Sequence, residues 1–246
     1  MDNDFHILIP ARLDSARLPR KALLEVAGLP LVVHTLRCAE QCGAISVHVA
    51  TENGEIAAVV DAAGGQVVMT SAEHQSGTDR LAEAVSTLGF DERAIVVNLQ
   101  GDEPSMPPAC IRQVAGLLRN DSAAHMATLY TRIAHEAQWR DPNVVKLVCD
   151  DRGRALYFSR APIPHPRDGR WPNQSALRHV GLYAYRAGAL WEWQALTSSA
   201  LERAESLEQL RALQAGWNIA VAAAVQTIPV GIDTAEDLDR FRESKN

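Results

Sequence analysis

The chain has only four cysteines in 246 residues, Cys38, Cys42, Cys110 and Cys149, and their scatter has no metal-ligand spacing. Cys38 and Cys42 lie four apart in a probable helical stretch and could share one face. The expectation is reduced, structural thiols and a reducing compartment. Positive charge is not in excess either. Lys and Arg number 24 against 30 Asp and Glu, for a net charge of −6, so no general basic surface for nucleic acid is expected. No long apolar run is present. "IAVAAAV" (219–225) is far shorter than a membrane span. The start, "MDNDFH", is acidic and lacks the basic-then-apolar order of a signal peptide. There is no internal repeat, low-complexity tract or evident linker, and neither a Walker phosphate loop nor a GxGxxG pattern. These absences point to a soluble cytoplasmic protein without nucleic-acid or membrane partners. At 47% hydrophobic residues, a single large α/β domain with a core that needs no staples is expected.

What is there begins with an alternation. "FHILI" (5–9), "AISVHVAT" (44–51), "QVVMT" (66–70) and "AIVVNLQ" (94–100) read as strands. Between them "LPLVVHTLRCAEQCG" (29–43), "EIAAVVDAAGG" (55–65) and "SGTDRLAEAVSTLG" (76–89) read as helices. Strands apolar on both faces, alternating with helices, predict a mostly parallel sheet covered on both sides. Ligands on such sheets sit beyond the carboxyl ends of the strands. After about residue 125 the pattern turns β-rich, with strand-like segments at 126–133, 144–150, 155–160 and 179–186. This predicts a smaller embedded lobe over roughly 126–190. "IPHPRDGRWPNQS" (163–175) reads as a mobile loop. Helix returns at 205–217, strand at "IAVAAAVQ", and a last helix at "TAEDLDRFRE" that Thr234 could cap.

Four stretches could carry chemistry. "IPARLDSARLPRKAL" (9–23) packs Arg12, Arg17, Arg20 and Lys21 into ten residues directly after the first strand, in a net acidic chain. A small residue, Ala11, opens it. Such a loop suits an anion with several phosphates, though a solvated charged loop has the same composition. Asp102 in "NLQGDEP" follows the fourth strand at the same sheet edge. It suits a magnesium ligand beside substrate phosphates, or a simple turn residue. Asp233 in "GIDTAEDL" could be a second metal ligand or an N-terminal helix partner. "HQSGTDR" (74–80) offers Gln75, Ser76 and Gly77 to a nucleobase edge, with Arg80 nearby. It also reads as an ordinary capped helix start.

Taken in order, "IPARLDSARLPRKAL", "HQSGTDRLAEAV", "VNLQGDEP", "DPNVVKLV", "ALYFSRAPIP", "RHVGLYAYRAG", "LEQLR" and "GIDTAEDL" resemble the motifs of the 3-deoxy-manno-octulosonate cytidylyltransferase (CMP-Kdo synthetase) family, from about Phe5 to Arg242. The resemblance implies a nucleotidyltransferase α/β fold, with the 126–190 lobe serving sugar binding and dimerisation. It implies a homodimer that makes CMP-Kdo and pyrophosphate from CTP and Kdo for lipopolysaccharide synthesis. By that resemblance Ala11, Arg12, Ser15, Arg17 and Lys21 hold the CTP phosphates, Lys21 and Arg17 also stabilising the departing pyrophosphate. Gln75, Ser76 and Gly77 read cytosine, with Arg80 alongside. Asp102 and Asp233 bind Mg²⁺, and Gln100, Arg160, His179, Tyr183, Glu208 and Gln209 hold the acid sugar. Other acid sugars, an 8-amino Kdo variant or a sialic acid, and a silent nucleotide-binding regulator are the competing readings. Two positions depart from the family. Arg20 stands where Gly is usual, a residue that tolerates positive φ far better than Arg. The segment from Pro164 to Leu177 is shorter than is common.

Overall fold

The computed structural model describes residues 4–15, 18–74 and 76–245. β1 (Phe5–Pro10) is followed by a 3-10 turn at Lys21–Leu23 and a small hairpin, β2 (Glu25–Val26) and β3 (Leu29–Pro30). α1 (Leu31–Glu40), β4 (Ser46–Thr51), α2 (Gly54–Ala62), β5 (Gln66–Met69), α3 (Gly77–Leu88) and β6 (Ile95–Asn98) complete the expected alternation. α4 (Pro108–Asn120), β7 (Met126–Arg132), α5 (Glu136–Arg140), β8 (Lys146–Cys149), β9 (Ala155–Ser159) and β10 (Leu177–Arg186) follow. The chain ends with α6 (Ala187–Trp193), α7 (Ala200–Glu205), α8 (Gln209–Gln214), β11 (Ile219–Ala223) and α9 (Ala235–Glu243). No helix among the described residues is long and apolar enough to cross a membrane.

The main sheet runs β11-β7-β10-β6-β1-β4-β5, with β8 joined to β10 and β9 to β8. β6, β1, β4 and β5 are parallel to one another, as the doubly apolar strands predict. Ile7 and Ile9 of β1 enter one core with Leu36, Ile56 and Val114, while Leu8 between them enters the other with Leu81, Val85 and Trp193. A strand buried on both faces cannot alternate apolar with polar, which is why β1 reads as a continuous run. From β1 the chain winds outward through β4 to β5, then returns to the other side of β1 for β6. The crevice at that reversal lies between the loops after β1 and β6.

The expected β-rich lobe is only partly separate. β7 and β10 sit inside the main sheet, β10 antiparallel to both β6 and β7. What projects is the β8–β9 pair, α5 and the loop at 161–176, around a satellite core of Ile133, Trp139 and Ala176. The helix read over 205–217 is interrupted. Ser206, at φ 51°, ends α7 in the left-handed region, and α8 restarts three residues later.

At the amino-terminal end of the sheet two histidines share a half-buried pocket. The His6 ring stacks on Phe90 at 4.0 Å, and His48 meets the same ring edge-on at 6.4 Å. His48 Nδ1 is buried without a hydrogen-bond partner among the described residues. Burial lowers both pKa values, and the charge of His6 lowers that of His48 further. Below pH about 6.5 the unfolded chain therefore binds more protons than the native one, and each proton of difference removes up to about 1.4 kcal/mol per pH unit. This stability is fully present above that pH and is lost as pH falls through it. Thermal melts from pH 7.5 to 5 should show a steeper loss for the wild type than for His48→Asn. Equal slopes would assign the acid sensitivity elsewhere.

Candidate active site

The loops after β1 and β6, the start of α3 and the segment before α9 enclose one cleft of about 360 Å³. Ala11, Arg12, Ser15, Lys21, Ser76, Gly77, Arg80, Gln100, Asp102, Glu208 and Asp233 all line it. Close packing of the loops needs Gly101, because a Cβ there would lie 3.0 Å from the Pro10 carbonyl oxygen. The Ile232 amide donates to the Asp102 carbonyl at 2.9 Å, joining the β6 loop to the segment before α9.

The centre of the cleft is an ammonium between two carboxylates. Lys21 Nζ donates to Asp102 Oδ2 at 2.6 Å and to Asp233 Oδ1 at 3.0 Å. Burial alone would lower the Lys21 pKa, but Asp102 and Asp233 outweigh it and the pKa is raised. Asp233 is not the cap of α9. Thr234 and Asp237 form that capping box, and the Asp233 carboxylate pairs with Lys21. Neighbouring Glu103 is pushed up to about 7, first by burial and then by the charges of Asp102 and Asp233. Two carboxylates brought together from distant segments create a demand for a cation, and the Lys21 ammonium stands in for one here.

Arg20 adopts a left-handed backbone, φ 55° and ψ 29°, which glycine tolerates far better than arginine. Its guanidinium fork closes on the Glu55 carboxylate at 2.6 and 3.3 Å, tying the cationic loop to α2. Arg80 lines the cleft but its guanidinium is occupied by Thr70 Oγ1 and Glu52 at the back of the site. Arg17 and Gln75 lie outside the described residues.

A second hollow of about 220 Å³ opens from the cleft and shares Gly77, Gln100 and Glu208 with it. Tyr183 and Gln209 complete four of the six expected sugar residues there. Glu208 accepts from Thr78 Oγ1 at 2.8 Å; burial raises its pKa despite that bond. Gln209 Nε2 is buried with no hydrogen-bond partner among the described residues.

The other two expected residues line neither space. The His179 ring packs against Phe158 and Tyr183, with Nε2 3.1 Å from Thr128 Oγ1, and burial pushes its pKa down to about 3. It is a neutral strand residue. The Arg160 side chain donates to the main-chain carbonyls of Glu205 (2.7 Å), Pro142 (3.1 Å) and Ser206 (3.2 Å). Three carbonyls take up the fork that a carboxylate would need. Arg160→Ala should therefore cost about 2 kcal/mol, and Arg160→Lys should recover little because a single ammonium cannot span the three acceptors. Melting temperatures of the two variants check this.

His74 is a cleft residue outside the expected set. Its Nε2 pairs with the carboxylate of Glu83, also outside the expected set, which accepts the Ser71 amide at 2.8 Å.

Comparison with known proteins decides the family. The cytidylyltransferase family model matches residues 6–221. The 3-deoxy-manno-octulosonate cytidylyltransferase of Nitrosococcus oceani is 48% identical, covering 97% of this chain and 95% of its own length. That of Yersinia enterocolitica is 49% identical, covering 97% of each. The chain belongs to the 3-deoxy-manno-octulosonate cytidylyltransferase family. A solved structure titled as CMP:2-keto-3-deoxy-manno-octonic acid synthetase complexed with CTP superposes with a TM-score of 0.91 at 41% identity, covering 98% of both chains. A 4-diphosphocytidyl-2C-methyl-D-erythritol synthase, 14% identical over the whole of both chains at a TM-score of 0.66, shares the fold alone. Within the cytidylyltransferase fold the cleft occupies the sheet's reversal point, between the ends of β1 and β6.

Proposed function

We propose that this chain transfers CMP from CTP to 3-deoxy-D-manno-octulosonate, releasing pyrophosphate. The observation that carries the reading is Lys21 held between Asp102 and Asp233 at the reversal point of the sheet, beside a second hollow that ends on Gln209. The anomeric hydroxyl of the sugar attacks the α-phosphorus of CTP in line, so the protein's task is positioning and charge neutralisation. Arg12 and Lys21 meet the triphosphate and stabilise the departing pyrophosphate, together with Arg17 from the same loop. Asp102 and Asp233 would hold Mg²⁺, in keeping with the ammonium that stands between them here. When bound there, Mg²⁺ neutralises phosphate charge and lowers the pKa of the attacking hydroxyl. The unpartnered Gln209 amide supplies a donor to the acid sugar, in place of the occupied Arg160 and neutral His179. By the same reading the chain is a cytoplasmic homodimer whose product feeds lipopolysaccharide assembly.

Pyrophosphate release from CTP and Mg²⁺ with Kdo, its 8-amino variant or a sialic acid tests the assignment. Turnover with Kdo at the highest kcat/KM supports it. Binding of CTP without turnover of any of the three would make the chain a nucleotide-binding regulator.

A further inference from the structure

Two groups compete for the Lys21 ammonium. A triphosphate in the cleft needs it as a counter-charge, yet it stands where Asp102 and Asp233 would hold a metal ion. Asp102 Oδ2 accepts from it at 2.6 Å and Asp233 Oδ1 at 3.0 Å. A divalent cation cannot join it there, because the positive charges repel and those oxygens are already taken. The carboxylates are the more accessible part of the cluster. Their side chains are 30% and 41% exposed against 16% for Lys21, and all three residues line the cleft. A cation entering the cleft reaches the oxygens directly, and what it must displace is the ammonium.

The main chain around Lys21 is pinned. The Leu23 amide donates to the Arg20 carbonyl at 2.9 Å, and the Leu24 amide to the Lys21 carbonyl at 3.2 Å. Ala22 is buried, and the Arg20 fork is closed on Glu55. What can move is the flexible four-carbon stem of the lysine, whose rotations carry the ammonium without shifting the loop. Arg12 and Ser15 of the same loop line the cleft, so a triphosphate bound to this loop lies in the same space as the ammonium.

We propose that Lys21 is a built-in counter-ion that holds the metal position of Asp102 and Asp233 until the nucleotide arrives. The inference rests on the assignment of CTP as substrate and of the two aspartates as metal ligands. Without nucleotide, Lys21 competes with a divalent cation for the same two carboxylates. A triphosphate carries more negative charge than the pair, so it draws the ammonium to itself and frees their oxygens. It also adds phosphate oxygens to the carboxylates, the combination in which magnesium is commonly held. Nucleotide and metal therefore bind cooperatively, and Lys21 couples them.

The test titrates Mn²⁺, which suits the same carboxylate oxygens, into the full chain, with free Mn²⁺ read from its paramagnetic resonance signal. Without nucleotide, Lys21→Met should bind Mn²⁺ about tenfold or more tighter than the wild type, a usual size for coupling between sites. Lys21→Arg keeps a cation beside the carboxylates and should stay near the wild type. Asp102→Asn placed in the Lys21→Met background should abolish the gain. CTP chelates Mn²⁺ in every variant, so its effect is compared between chains. It should raise Mn²⁺ affinity by a larger factor in the wild type than in Lys21→Met, because only the wild type has an ammonium to release. Circular dichroism confirms folding, and if Lys21→Met fails to fold, Lys21→Gln decides, since its amide removes the charge and can still donate to one carboxylate. Nucleotide-free affinity within about twofold of the wild type in the folded neutral variant would overturn the inference and leave cytidylyl transfer standing. So would a gain that persists with Asp102→Asn, or an equal gain in Lys21→Arg. A wild type that does not bind CTP would overturn the choice of substrate together with the inference.

Discussion

Asp102→Asn should fold like the wild type and lose about 10²-fold or more in kcat, a few kcal/mol of transition-state stabilisation. The substitution removes one charge and almost no volume. Its cost to the fold is small because the main chain joins the loops: the Ile232 amide donates to the Asp102 carbonyl, which Asn retains. Loss of the Lys21 pair is offset in part. Asp102 and Asp233 crowd enough negative charge together to help push Glu103 up to about 7, and the amide relieves that repulsion. A site that is destabilising to build and needed for the reaction is the common trade between stability and activity. Turnover is lost because Asn halves the charge offered to a cation and leaves Lys21 paired with Asp233 alone. The check is pyrophosphate release at saturating CTP and Kdo across a Mg²⁺ titration, with a melting curve alongside. Turnover near the wild-type value at saturating Mg²⁺ would overturn the proposal that Asp102 holds a metal ion.

The half of the sheet that holds the cleft was legible in the sequence, and the half behind the second hollow was much less so. β1 and β6 are buried on both faces and β4 is buried over its second half, so each reads as an apolar run between helices of clear period. Local order also carried the cleft residues of the β1 and β6 loops, since the position of a residue just past a parallel strand follows from the strand. That Lys21 bridges two carboxylates could not be read. Its partners are 81 and 212 residues away, and charge alone does not say which loops meet. The surroundings of Arg160 and His179 could not be read for the same reason. Each was placed correctly at a strand, but the acceptors of Arg160 come from the turn at Glu205–Ser206, some 45 residues on. The strand position of His179 gave no warning that Phe158 and Thr128 would enclose its ring. Arg20 shows the converse. Its left-handed backbone was hidden behind a residue type that rarely adopts it, and the Glu55 carboxylate holds the side chain once it is there. Residue types report geometry only where they determine it, as Gly101 does for the close approach of the Pro10 carbonyl and Arg20 does not for its left-handed backbone.

Lys146→Met is expected to be the most destabilising single change away from the cleft. Lys146 is fully buried, and its ammonium donates to three main-chain carbonyls: Asp141 (2.8 Å), Val144 (2.5 Å) and Arg160 (2.6 Å). Burial lowers its pKa, against the pull of the Asp141 and Glu205 charges, so the ammonium is kept at some cost. That cost invites the argument that an apolar residue of similar length would do better, as it often does for a buried ion pair replaced as a unit. The argument fails here because the partners are backbone. Met removes the donor and leaves three carbonyls behind, each about 1–3 kcal/mol when buried and unpaired. Relief of the lysine's desolvation offsets part of that sum, and a net loss of about 3 kcal/mol or more remains. For a chain of this size roughly 2–4 °C per kcal/mol follows, so Tm should fall by about 6–12 °C. The same carbonyls connect the damage to function. Arg160, whose carbonyl Lys146 holds, reaches with its side chain to the Glu205–Ser206 turn, and that turn leads directly into Glu208 and Gln209 at the second hollow. The KM for Kdo should therefore rise more than the KM for CTP, whose phosphate loop lies on the far side of β6. A Tm within about 2 °C of the wild type, with both KM values unchanged, would mean that the three carbonyls find other donors and that Lys146 does not support the sugar end of the site.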